Sequence, residues 1–286
     1  MRSAHRRRPG SRSAVTVGLA TVLVLAGCSH SKPTPSPGLQ GLSAYERAAR
    51  TDGAAALWPL RDAQNLSARD EVGDLISSKA AATVVGGTIA GTTGPDGAGA
   101  ARFFRSGRLV TPVTSGLSSA SAFSLEFDLR ADECVNAWGR VLGTTSLQQT
   151  GREGFEVLHF PKQFAINPCR FGVEFWHLGK YEGGCHPKPV PVNGVWTRWA
   201  VVYAKGRVTC YENGTLVQST LLAAPRVFQQ LGPLGIGGSG SGFQGPLDGA
   251  SLSEVALYRR ALTSAEVGQH ASLSTSVRPT PTASSS

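Results

Sequence analysis

From Phe123 to Arg130 apolar and polar residues alternate without a break: Phe123, Leu125, Phe127 and Leu129 on one side, Ser124, Glu126, Asp128 and Arg130 on the other. Successive side chains of an extended strand point to opposite faces, so this pattern predicts a strand with its apolar face on a core and its polar face toward solvent. The run from Arg198 to Tyr203 is more continuously apolar, as a central strand would be. Val208 to Glu212 and Leu216 to Gln218 flank Asn213-Gly214, a pair that tolerates the positive φ of a tight hairpin turn. Glycines and prolines punctuate the rest at strand-length intervals, which points to an all-β antiparallel sandwich.

Two short helices are predicted, one at each end of the sandwich. Ser43-Ala44-Tyr45-Glu46 and Thr263-Ser264-Ala265-Glu266 each place a hydroxyl three residues before a Glu, the reciprocal arrangement that caps a helix start.

The N-terminus has a different character. Arg2, Arg6, Arg7, Arg8 and Arg12 precede an apolar run from Ala14 to Ala26, the charge-then-apolar order of a secretion signal. That run is about 13 residues, short of the roughly 20 a membrane-crossing helix needs. It ends in Leu25-Ala26-Gly27-Cys28, which resembles the bacterial lipobox, and this implies cleavage before Cys28 and diacylglycerol on its sulfur. Each buried methylene contributes about 0.8 kcal/mol, so two or three acyl chains on one residue anchor stably where one would not. The expected organisation is a signal peptide over 1–27, a lipidated Cys28 with a Ser/Pro-rich tether over 28–42, one domain over 43–273 and a Ser/Thr/Pro tail over 274–286. The expected location is extracytoplasmic, tethered by lipid to the bacterial membrane.

The formal charge of +9 falls to +4 when the five signal arginines leave. With no Lys/Arg run and no nucleic-acid motif, DNA and RNA are excluded as expected partners. Once Cys28 is assigned to lipid, Cys134, Cys169, Cys185 and Cys210 remain. An even number outside the cell, without CxxC spacing, favours two disulfides over zinc. A bond between Cys169 and Cys185 would brace a local hairpin and add about 3 kcal/mol in the chain-entropy picture. It would leave Cys134 to pair with Cys210.

Several stretches resemble the laminin-G-like branch of the concanavalin A-like lectin/glucanase superfamily. They are Ala101 to Gly107 leading into Leu109-Val110-Thr111-Pro112, Phe123 to Phe127, Trp196 to Tyr203 through Tyr211-Glu212-Asn213-Gly214, and Leu247-Asp248-Gly249 with Glu254 to Glu266. Tyr45-Glu46-Arg47-Ala48 and Leu57-Trp58-Pro59-Leu60 are similar to the start of such domains. The resemblance implies a jelly roll, a scaffold that hosts lectins, adhesion modules and glucanases alike.

Three sets of residues are candidates for function. Relatives with glucanase activity carry alternating acids on one strand, which implies a hydrolase reading for Glu126 and Asp128. Residues two apart on a strand lie about 6.5 to 7 Å apart, against roughly 5 to 5.5 Å between the carboxyls of retaining glycosidases, and Arg130 stands where a third acid would complete the set. Relatives that bind calcium imply Asp70 and Asp248 as ligands for Ca2+, which needs 6 to 8 oxygens; Glu71, Val72 and Leu75 depart from that pattern. Trp176, Tyr181 and His186 lie in the segment richest in aromatic and polar residues, as a sugar site requires. The leading expectation is a non-catalytic, membrane-anchored binding domain for glycan or an envelope protein. The alternatives are a glycoside hydrolase using Glu126 and Asp128, and a structural envelope scaffold.

Overall fold

The computed structural model describes residues 42–63, 65–67, 71–76, 81–104, 107–112, 117, 120–132, 139–144, 154–159, 169, 171–187, 194–223, 231–238, 240 and 247–274. Helix α1 (Ala44–Thr51) begins the described chain and α2 (Ser264–Leu273) closes it; both start with the expected capping boxes, Ser43 with Glu46 and Thr263 with Glu266. Between them run β1 (Ala56–Trp58), β2 (Glu71–Val72), β3 (Ala82–Val85), β4 (Ile89–Thr93), β5 (Gly99–Phe103), β6 (Arg108–Thr111), β7 (Ala122–Ala131) and β8 (Gly139–Gly143). They are followed by β9 (Gly154–His159), β10 (Phe171–His177), β11 (Lys180–Cys185), β12 (Trp196–Ala204), β13 (Arg207–Glu212), β14 (Thr215–Leu221), β15 (Leu234–Ile236) and β16 (Ala250–Tyr258).

These strands form two antiparallel sheets. One runs β14-β13-β12-β7-β16-β5-β4, with β1 also on β16; the other runs β11-β10-β9-β8-β15-β6-β3-β2. The alternating strand is β7, and the apolar run of β12 pairs directly with it, Leu125 opposite Val201 and Phe127 opposite Trp199. Their inner faces meet Phe155 and Val157 of β9 and Phe171, Val173 and Phe175 of β10 in one core. Phe123 stacks on Phe155 at 5.0 Å between centroids and Phe171 on Trp199 at 4.0 Å, which joins the sheets through aromatic contacts. Each fully buried side chain of this size contributes about 1.5 to 3 kcal/mol by burial. The Asn213-Gly214 turn connects β13 to β14 with φ values of 48° and 79°. A Cβ on Gly214 would come within 2.9 Å of Ala271, so this hairpin also supports α2.

The polar face of β7 is not solvent-exposed as its alternation predicts. Glu126 and Asp128 have no exposed surface, because α1 and α2 pack over the outer face of this sheet. Tyr45 and Ala49 of α1 and Val267 of α2 form a second apolar cluster there with Ala200, Val202, Ala256 and Tyr258. Alternation distinguishes the two faces of a strand but does not reveal that a helix from elsewhere covers the polar one.

The disulfide pairing also differs from expectation. Cys185 bonds Cys210, with Cα atoms 6.4 Å apart, rather than Cys169. The register explains it: Cys185 lies opposite Val173 on β10, so Cys169 falls four residues upstream of its cross-strand position, about 13 Å along an extended chain and beyond disulfide reach. Both Cys185 and Cys210 face the core, one from each sheet. Cys169 is itself disulfide-bonded, whereas Cys134 lies outside the described residues.

Candidate functional site

Above β7 and β12, charged groups are gathered in a space closed to water. Arg198 of β12 donates to Asp128 at 3.2 Å and to Glu126 at 3.4 Å, and its guanidinium lies 3.6 Å from the centroid of the Tyr45 ring. The same Glu126 oxygen accepts hydrogen bonds from the hydroxyls of Tyr45 at 3.0 Å and Tyr258 at 3.1 Å. His270 of α2 spans two acids, Nδ1 at 2.8 Å from Glu126 and Nε2 at 2.8 Å from Asp52. A neutral imidazole has one N–H, so two carboxylate neighbours call for the doubly protonated ring. Burial works against that charge, but the hydrogen bonds and negative charge of Glu126 and Asp52 prevail and raise the His270 pKa. Burial likewise opposes ionisation of Glu126, and Arg198, His270 and Tyr45 more than offset it, leaving its carboxyl below the ordinary range.

This arrangement makes Glu126 and Asp128 into clamps for the helices. A sugar cannot reach carboxylates that are wholly buried and held by Arg198, His270, two tyrosines and Ser274, so the hydrolase reading loses the two residues it relied on. Arg198, Tyr45, Tyr258 and His270 were not singled out in the sequence. For His270 a signal existed: Val267, His270 and Ala271 follow the capped start of α2 at the spacing of a buried helix face.

A second acid cluster lies near the β16 bulge. Arg61 is within 3.0 Å of Glu46, 3.4 Å of Asp96 and 3.2 Å of Glu254. Glu254 adopts φ 51° there, and burial together with the negative charge of Glu46 pushes its carboxyl up to about 8.

The aromatic segment forms a site of a different kind, at the edge of the second sheet. β10 and β11 make a hairpin through Leu178-Gly179, both at positive φ. Phe175 faces the core, which sends its neighbours Glu174 and Trp176 to the outer face. Trp176 pairs with Tyr181 across the hairpin, their centroids 5.8 Å apart at 61°. The Tyr181 hydroxyl hydrogen-bonds His186 at 2.9 Å, and the Trp176 indole donates to Glu174 at 3.2 Å. The backbone N–H of His186 donates to Gln218 of β14 at 2.7 Å, and Cys185, the adjacent residue, holds the strand end to the first sheet. Tyr181 is 47 % exposed, so the corner offers ring surface together with hydroxyl, imidazole and carboxylate groups. The three residues picked from the sequence therefore meet, and Glu174 joins them. Its signal was the alternation with Val173 and Phe175.

Of the two residues expected to hold calcium, only Asp248 is among the described residues. Asp248 is exposed in the turn before β16, and Asp70 lies outside them, as does Cys28. No group of three or more His, Cys, Asp or Glu side chains that could hold a metal occurs among the described residues. Nor is any described helix long and apolar enough to cross a membrane.

With both geometries in view, the family is clear. A family model of the concanavalin A-like lectin/glucanase superfamily, laminin-G type, matches residues 105–268, more than half the chain, and the chain belongs to that superfamily. None of the curated proteins matches it. Among solved structures it is similar to domain 4 of AbnA, an extracellular arabinanase from Geobacillus stearothermophilus, in complex with arabinotriose. Identity is 19% and the TM-score 0.57, over 77% of this chain and 98% of that one. It is also similar to the binding domain of Paraclostridial mosquitocidal protein 1, at 13% identity and TM-score 0.57, and to the receptor binding domain of botulinum neurotoxin type G, at 13% and 0.52. Each of these covers 77% of this chain, which spans about half of the toxin structures, 52% and 51%. At such identities the likeness is one of fold.

Proposed function

We propose that this chain is a lipid-anchored cell-envelope binding protein without chemistry of its own, and that it takes glycan at the Trp176–Tyr181–His186 corner. The observation that carries the reading is the convergence of these three side chains, with Glu174, on an exposed sheet edge held by the Cys185–Cys210 disulfide. Sugars present C–H faces that pack on aromatic rings and hydroxyls that need a few fixed polar partners, and this corner supplies both. The arabinotriose complex of the AbnA domain and the binding roles of the two toxin domains support a ligand-binding use of the fold. The scaffold by itself decides nothing, since it also carries enzymes.

The test is a glycan array probed with the full-length protein. Tyr181→Ala and Trp176→Ala should each weaken the best signal at least about tenfold, on the order of 1.4 kcal/mol, while the melting temperature stays within about 2 °C. A protein that binds no glycan, or binds as well without both rings, would remove the proposal.

The anchor rests on the N-terminal order of arginines, apolar run and Leu25-Ala26-Gly27-Cys28. Mass spectrometry of the mature protein should find acyl chains on Cys28, and Cys28→Ala should release the protein from the membrane fraction. An unacylated mature chain would end that part of the account.

A further inference from the structure

Beyond glycan binding, we propose that the end of the sandwich carrying the β10–β11 and β12–β13 turns docks on an anionic lipid surface. These turns belong to different sheets, and the chain leaving β14 ties them together. The N–H of Leu222 donates to the carbonyl of Gly206 in the β12–β13 turn at 2.8 Å, and the next N–H, of Ala223, donates to the carbonyl of Glu182 on β11 at 2.9 Å. The tip of the β10–β11 hairpin, the Lys205-Gly206 turn and the last residue of β14 therefore share one end of the domain.

That end shows apolar side chains the fold does not use. Leu178 is 61 % exposed and Leu221 62 %. Leu178 also holds a φ of 47°, a left-handed conformation that glycine and asparagine adopt far more easily than a bulky side chain. A leucine at this tip adds neither burial nor ease of turning, so its value lies in what it meets outside the chain.

Exposed cations surround the two leucines. Lys180 follows the Leu178-Gly179 tip, Lys205 sits in the neighbouring turn, and Arg207 is the cross-strand partner of Leu221. Arg207 hydrogen-bonds the Ser219 hydroxyl at 3.3 Å, and none of the three cations forms an ion pair with a described residue. The acid beside them on the hairpin is Glu182, which is half-buried, so this end stays basic.

The leucines alone would suit a protein partner as well as a bilayer, and the cations decide between them. A second copy of this chain would set like charge against like charge. An anionic leaflet offers negative headgroups above hydrocarbon: lysine and arginine heads stay at headgroup depth while the leucines reach below. Residues 28–42, which link the expected lipid to α1, extend to at most about 50 Å, longer than the roughly 33 Å run of β7, so either end of the domain can reach the bilayer. The Trp176–Tyr181–His186 corner lies on the outer face of its hairpin and not at the tip, so docking leaves it open to the side.

Each basic residue close to an anionic leaflet strengthens binding about fivefold, and three together on the order of 100-fold. The protein, purified from membranes with its acyl chains, is placed in vesicles of phosphatidylcholine alone or with about 30 % phosphatidylglycerol, and backbone hydrogen exchange is followed. Exchange over 177–181 and 205–208 should slow at least about fivefold on the anionic vesicles only, and the protection should fade at about 0.5 M salt, where surface charge is screened. Replacing Lys180, Lys205 and Arg207 together with Gln should remove it, and so should Leu178→Asn with Leu221→Thr. All five side chains are exposed and Asn accepts the φ at 178, so the melting temperature should hold in both variants. If the chain proves unacylated, it is added to the same vesicles and read by co-sedimentation, with lipid charge and the two variants as the deciding comparisons. Equal behaviour on both kinds of vesicle would overturn the inference. So would protection that follows protein density and ignores lipid charge, as contact between copies would give.

Discussion

Replacing His270 with Ala should both destabilise the domain and change how its stability responds to pH. The imidazole is fully buried and lies 2.8 Å from each of two carboxylates, Glu126 on β7 and Asp52 after α1. Hydrogen bonds to charged groups contribute about 1.5 to 3 kcal/mol each, and the Asp52 bond belongs at the low end because that side chain keeps some exposure. Glu126 retains Arg198, Tyr45 and Tyr258 when His270 is gone, which limits the loss. With the cavity left behind, the expected change is about 3 to 5 kcal/mol, or a melting temperature lower by roughly 10 °C in a domain of this size. The groups facing His270 are Glu126, Asp52, Arg198, Tyr45 and Tyr258, and their balance raises its folded pKa above the unfolded value of about 6.5. Its stabilisation is therefore complete below about pH 6.5 and fades as pH climbs through the folded value. Thermal unfolding of wild type and His270→Ala from pH 5 to 9 should show a gap that is widest on the acid side. A gap of constant size across that range, or one below about 1 °C throughout, would refute the doubly protonated clasp.

Three further outcomes follow from the same structure. Arg198→Met leaves Glu126 and Asp128 buried without their shared cation and should destabilise the fold by about 3 to 5 kcal/mol, read as a shift in the urea midpoint. Cys185→Ser opens a bridge spanning 25 residues, for a loss of about 3.5 kcal/mol in the chain-entropy picture, and hydrogen exchange on β11 should accelerate. Glu254 carries a proton in the folded state up to about pH 8, above its value in the unfolded chain, so stability declines as pH rises between those values. Glu254→Gln, which cannot ionise, should flatten that decline in melts taken between pH 5 and 9.

The elements legible in the sequence were those specified by neighbours along the chain. Period two in Phe123 to Arg130, the Asn213-Gly214 turn and the capping pairs Ser43–Glu46 and Thr263–Glu266 each act over a few residues, and the strand, the hairpin and the two helix starts they predict are all present, although the polar face of the strand is covered and not open to solvent. The Trp176, Tyr181 and His186 corner was legible for the same reason, since one hairpin carries all three. The buried clasp was not, because Glu126 meets Arg198 across 72 residues and His270 across 144. The same limit applied to Cys185 and Cys210, whose bond depends on how two sheets face one another and not on the hairpin that holds one of them.

The most direct test is an experimental structure of the protein with the oligosaccharide that binds best. A sugar ring packed on Tyr181 or Trp176, with a hydroxyl within about 3.2 Å of Glu174 or His186, is the expected result. An occupied site elsewhere, with these four side chains untouched, would contradict the account.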